Sequence, residues 1–155
     1  MTDDERADML DEHLTYEWDM LRDSHTKPQY ISVGDVHVAK FLGNAMVECF
    51  ATHARALIEF FNSNGRREDD VRASDFTVSG TYQPGFVSYD DIKHLTTKIN
   101  KQIAHLTWRR EMDQALKFDG LDREEAYERL TSEAEKFRSE MKPELLKWLP
   151  DRFGR

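Results

Sequence analysis

The sequence predicts an all-α fold, an antiparallel four-helix bundle in one domain spanning residues 1–155, and three observations lead to it. Hydrophobic residues make up 39% of the chain and charged residues 34%, a balance that suits helices with solvated outer faces better than a two-layer sheet. Only seven glycines and four prolines punctuate it. Apolar residues recur at three- and four-residue spacings in four separate segments, the repeat of an amphipathic helix. At 155 residues the chain can enclose one core and has no room for a second.

The first helix is expected over about 4–24, where Leu10, Leu14, Trp18 and Leu21 form a stripe and the opening Asp3, Asp4 and Glu5 suit the positive end of a helix dipole. Pro28 stops it, because a proline disfavours helical geometry in the residue before it. Ser32-Val33-Gly34-Asp35 has the Ser-x-x-acid form of a helix cap, and the second helix runs from about 35 to 63, ending at Asn64-Gly65. Fourteen of its twenty-one residues from Phe41 to Phe61 are apolar. Five of the polar ones, Asn44, Glu48, Thr52, Arg55 and Glu59, fall within about 80° of its circumference. Such a helix is expected to lie at the centre, mostly covered by neighbours.

Residues 65–87 form one long loop with turn signals at Asp69-Asp70, Ser79-Gly80 and Pro84-Gly85 and a short extended piece at Phe76-Thr77-Val78. A connection of that length serves as a strap over the core or as a lid. The third helix, 89–117, opens on Ser88-Tyr89-Asp90-Asp91 and packs through Ile92, Leu95, Ile99, Ile103 and Leu106. The fourth, 122–142, presents Tyr127, Leu130, Ala134, Phe137 and Met141 on one face, with Asp122 expected at its cap. A short helix at 143–149 follows Pro143.

Charge and cysteine usage narrow the function classes. The longest apolar stretch contains Glu48, His53, Arg55 and Glu59, too many ionisable groups for a lipid-facing span, so no membrane role is expected. Neither a signal nor a transit peptide is read at the acidic start, and the cytoplasm is the expected compartment. The single Cys49 lies in an apolar run, where it reads as a small hydrophobe with no disulfide partner. The net charge is −8, unevenly spread: residues 1–24 hold nine acids against two arginines, while residues 93–110 hold five lysines and arginines and no acid.

No metal or other cofactor is expected. Asp91-x-x-His94 is the nearest approach to a di-iron bundle motif, and His94 and His105 lie roughly 16 Å apart along a helix, too far to share an ion. His53, about 140° from Glu48 around the second helix, reads as a core histidine with its hydrogen bonds satisfied. Arg55 and Glu59 are spaced for an i,i+4 ion pair. The segment most suggestive of chemistry is Lys98 to Arg110. There His105 shares a helix face with Lys98, Gln102 and Arg109, an arrangement in which an imidazole moves a proton while cations hold a phosphate.

The pattern Asn100-x-x-x-x-His105, together with Phe50-Ala51-Thr52-His53-Ala54-Arg55-Ala56-Leu57-Ile58-Glu59 in the preceding helix, resembles the HEPN superfamily of small helical bundles. That superfamily includes metal-independent ribonucleases of toxin and phage-defence systems, marked by an Arg, four to six residues, then a His, with active sites formed across a dimer interface. Lys98, Ile99 or Asn100 occupies the arginine position here. The resemblance implies an RNA-directed protein, a ribonuclease or an inactive relative, working as a homodimer. Its catalytic residues would be His105 and Asn100, its phosphate contacts Lys98, Lys101, Arg109 and Arg110, and Glu48, Thr52, Arg55 and Glu59 would be a supporting polar stripe. The alternative is a non-enzymatic helical module that binds or regulates a protein partner.

Overall fold

A computed structural model describes residues 1–30, 32–62, 70–104 and 117–155. It is helical, with no strand among the described residues; one isolated antiparallel bridge joins Thr77 to Met141. The amino-terminal rod has three parts: α1 (Asp3–Asp8), a π-helical turn (Met9–Leu14) and α2 (Thr15–Thr26). Thr2 caps it. Its hydroxyl accepts the Glu5 N–H while the Glu5 carboxylate accepts the Thr2 N–H. At the π turn the Thr15 hydroxyl donates to the Leu10 carbonyl at 2.7 Å, tying the widened turn together. Leu10, Leu14, Trp18 and Leu21 are all buried, as their spacing predicts.

Helix α3 (Val36–Asn62) starts one residue after the cap, which is Asp35 itself: its Oδ1 accepts the N–H groups of His37 and Val38 at 2.8 and 3.0 Å. A 3₁₀ turn at Ala73–Phe76 follows, then α4 (Lys93–Ala104), α5 (Gly120–Glu140) and a 3₁₀ segment at Pro143–Trp148. Of the third predicted helix, residues 89–92 are turns rather than helix and residues 105–116 lie outside the described residues. The cap of α5 is Asp119, not Asp122. Asp119 accepts the N–H groups of Leu121 and Asp122, and Asp122 accepts that of Asp119, so Gly120 opens the helix.

An aromatic cluster of Phe60, Phe61, Phe76, Tyr82, Phe137 and Phe153 fills the core with ring centroids 5.2 to 6.4 Å apart, mostly edge to face. The carboxyl-terminal turn is folded back into it. Trp18 Nε1 donates to the Arg152 carbonyl, Arg152 forks onto Asp19, and Phe153 is buried against Trp18. Gly154 permits this return: its φ is +82°, and a Cβ there would stand 3.2 Å from that of Ala134.

The stretch from 70 to 92 is a strap rather than a lid. Ala73, Phe76, Tyr82 and Val87 are buried, and its backbone is latched to α5 by Glu133, itself fully buried. That carboxylate accepts the N–H groups of Gly85, Phe86 and Val87 at 2.9, 2.6 and 3.2 Å and the Tyr82 hydroxyl. Burial, and then the bond to Glu133, push the Tyr82 phenol far above its ordinary pKa. Asn62 closes the other side, donating to Val87 O at 2.7 Å and accepting from Tyr89 N. Among the described residues no helix is long and apolar enough to cross a membrane.

The second predicted helix departs from expectation in one respect. Its carboxyl half is enclosed as foreseen, with Phe50, Ala51, Ala54, Leu57, Ile58 and Phe61 buried. Its amino half stands in solvent: Val36 is 74% exposed, Phe41 70% and Val38 46%. Apolar content alone led to the expectation of coverage, and burial instead follows where α2, α4 and α5 reach.

Candidate functional site

Two of the groups singled out in the sequence meet between α3 and α4. Arg55, Ile58 and Glu59 on α3 and Thr96, Ile99 and Asn100 on α4, with Tyr89 at one end, line a narrow cleft. Ile58 and Ile99 are buried and form its floor; Arg55, Glu59 and Asn100 are exposed along its rim. The i,i+4 pair is made, with Arg55 Nε donating to Glu59 Oε1 at 2.8 Å. Glu48 and Thr52 lie further up the same helix, outside the cleft lining. Both are exposed, and the Thr52 hydroxyl donates to the Glu48 carbonyl. The polar stripe is thus split, its second half facing Asn100 and its first half facing solvent.

The basic residues of α4 have separate surroundings. The Lys98 ammonium sits 2.6 and 2.8 Å from the two oxygens of Asp122, with both side chains largely shielded, so it pins α4 to the first turn of α5. Lys101 is half-buried. His105, Arg109 and Arg110 lie outside the described residues. His94, the candidate in the di-iron comparison, is on the surface with Nε2 3.3 Å from Glu125. Among the described residues no three His, Cys, Asp or Glu side chains gather closely enough to hold a metal ion.

A second constellation joins α2 to α3. His53 Nδ1 is 2.7 Å from Glu17 Oε2, and the Tyr16 ring meets the imidazole edge-on at 5.5 Å. This is the satisfied core histidine that the sequence suggested. Its partner was not legible, because Glu17 is 36 residues away and one of nine acids in its region. One turn before His53 lies Cys49, half-buried. Burial raises its thiol pKa and the charge of Glu17 pushes it the same way, against a hydrogen bond with Ser24. The sulfur therefore rests as a thiol, which makes it a packing group.

The third feature is the bare amino half of α3. Beside it Pro28 and Val33, from the connection after α2, stand against Ala39, Leu42, Gly43 and Met46 to form an apolar groove of about 100 Å³. Phe41, Val38 and Ala45 are exposed on the same half-helix. No sequence signal separates this half from the buried one, since both are equally apolar. Comparison with family models, with curated proteins and with solved structures finds no match to the chain.

Proposed function

We propose that this chain is a non-enzymatic helical interaction module of the cytoplasm, an antiparallel four-helix bundle that engages a protein partner through the amino half of α3. The observation that carries this reading is the exposure of Val36, Val38 and Phe41 along one half-helix. Helices apolar on most sides are normally enclosed, and contiguous exposed apolar patches mark interaction sites. The antiparallel arrangement draws support from the two ends of the α3–α4 contact. Asn62 at the end of α3 holds Tyr89, just before α4 begins, while Arg55, two turns earlier, shares its cleft with Asn100 near the end of α4. The test is Phe41→Glu in cells making the chain at native level. The complex seen by native electrophoresis should disappear while the melting temperature of the purified variant stays put. An unchanged complex, or no complex with the wild type, sinks the reading.

A second reading keeps the HEPN-like resemblance: an RNA-directed protein of a bacterial toxin or phage-defence system, a ribonuclease or its inactive relative, with His105 and Asn100 at the reacting centre. The meeting of Arg55 and Asn100 at one cleft favours it. It requires RNA binding that weakens steeply with salt. A purified protein that neither binds nor cleaves RNA, with His105→Ala silent in cells, removes it.

A further inference from the structure

We infer that the partner seated on the amino half of α3 is a second copy of this chain, paired antiparallel along the helix. This rests on the interaction reading above and names its partner. Three observations point to self-pairing. The first is charge. In a chain of net charge −8, residues 36–47 contain no Asp or Glu, so two copies approach each other there without meeting acid against acid.

The second is polarity along the helix. His37 and Lys40 lie toward its start and Glu48 toward the middle, with Lys40 and Glu48 each four residues from Asn44. A partner of uniform charge matches only one of them. A reversed copy of the same helix matches both, because a two-fold centred on Asn44 brings each Lys40 to the level of Glu48 of the partner subunit. The third is shape. Phe41 projects with 70% of its surface exposed, while Gly43 has nothing within 4 Å of where a Cβ would stand, and Ala45 one turn on is small. The same two-fold sets Gly43 level with Ala45 of the partner subunit, small against small, and each Phe41 level with Val47 of the partner subunit. Such a contact is isologous: one segment supplies both halves, as in most soluble homodimers. The bare stretch is about 18 Å long, enough for helix-on-helix packing at close approach.

The experiment is sedimentation equilibrium of the full chain across the micromolar range. The wild type should be a dimer, and Phe41→Glu a monomer with unchanged helicity. Lys40→Glu should weaken the dimer about tenfold by replacing two attractive pairs with two repulsive ones, and adding Glu48→Lys should restore it. A wild type that stays monomeric overturns the inference, as does a dimer indifferent to Phe41→Glu. If the wild type is monomeric while Phe41→Glu still abolishes the cellular complex, self-pairing fails and the interaction reading stands with a different partner. If Phe41→Glu instead lowers the unfolding stability of a monomer, a segment of the same chain covers the face and both fail.

Discussion

From Phe50 to Asn62, α3 is enclosed by α2, α4, α5 and the strap, with Phe50, Ala51, Ala54 and Phe61 wholly out of solvent, whereas from Val36 to Val47 most of it is bare. The halves do not differ in hydrophobicity. They differ in what each can reach. The carboxyl half is met by Phe137 from α5, by Ile99 from α4, by Glu17 from α2 through His53, and by Phe76 from the strap through Phe60. Among the described residues the amino half is met at the edge formed by Pro28 and Val33, and Val47 at its end packs against the core. An apolar helix can therefore serve two ends, closing a core with one half and offering a surface with the other.

The largest expected effect tests that division directly. Phe61→Ala removes a ring that touches Phe60, Tyr82 and Phe137 and should cost about 3–5 kcal/mol in urea unfolding. Phe41→Ala, measured where the chain is dilute, should stay within about 0.5 kcal/mol of the wild type. Comparable losses at both positions would erase the distinction between the halves.

A smaller effect is expected at the latch that keeps the carboxyl half covered. Glu133→Gln keeps the size of the side chain but removes its charge and one of its two acceptor oxygens, so a single amide oxygen can no longer serve both the N–H groups of Gly85, Phe86 and Val87, which share Oε2, and the Tyr82 hydroxyl, which uses Oε1. The expected cost is about 1.5–3 kcal/mol, with faster hydrogen exchange confined to residues 85–87. Unchanged exchange there would mean that apolar packing alone holds the strap.

Much of this was legible in the sequence, and the remainder was hidden for physical reasons. Leu10, Leu14, Trp18 and Leu21 are placed correctly by spacing, as are Leu130, Ala134 and Phe137, because a helical period needs only local information. The Arg55–Glu59 pair was readable on the same grounds. Interactions between distant segments were not: Glu133 under Gly85, Lys98 on Asp122 and Glu17 on His53 span 24 to 48 residues. The shift of the cap from Asp122 to Asp119 shows the same limit at short range. Two acids three residues apart serve equally well in a pattern, and only the backbone turn at Gly120 decides between them. As for the candidate site, helical spacing marked Arg55 and the pattern Asn100-x-x-x-x-His105 marked Asn100, but nothing local foretold that the two share a cleft.

The smallest effect concerns the point where α3 passes from bare to buried. His25, near the end of α2, lies parallel to the Tyr127 ring at 4.1 Å and tilted against Phe50, the first fully buried residue of α3. Its Nε2 is 3.5 Å from Glu124, and its Nδ1 is buried with no hydrogen-bond partner. Burial lowers the imidazole pKa below its ordinary 6.5. Arg123 lowers it further, and Glu124 opposes both. Because the folded value is the lower one, the unfolded chain takes up a proton first as the pH falls. The contribution of His25 is then complete above about pH 6.5 and is lost progressively below it. The carboxylates with lowered values, Glu5, Asp23, Asp119 and Glu125, lose their contribution as the pH falls through and below the ordinary carboxylate values of 3.8 to 4.5, which leaves the slope between pH 5 and 6.5 to histidine. His25→Phe keeps the ring and removes the proton, so urea midpoints measured across that interval should flatten relative to the wild type. A slope that survives the substitution would place the acid sensitivity elsewhere and leave the junction between the two halves of α3 held by Phe50 and Tyr127 alone.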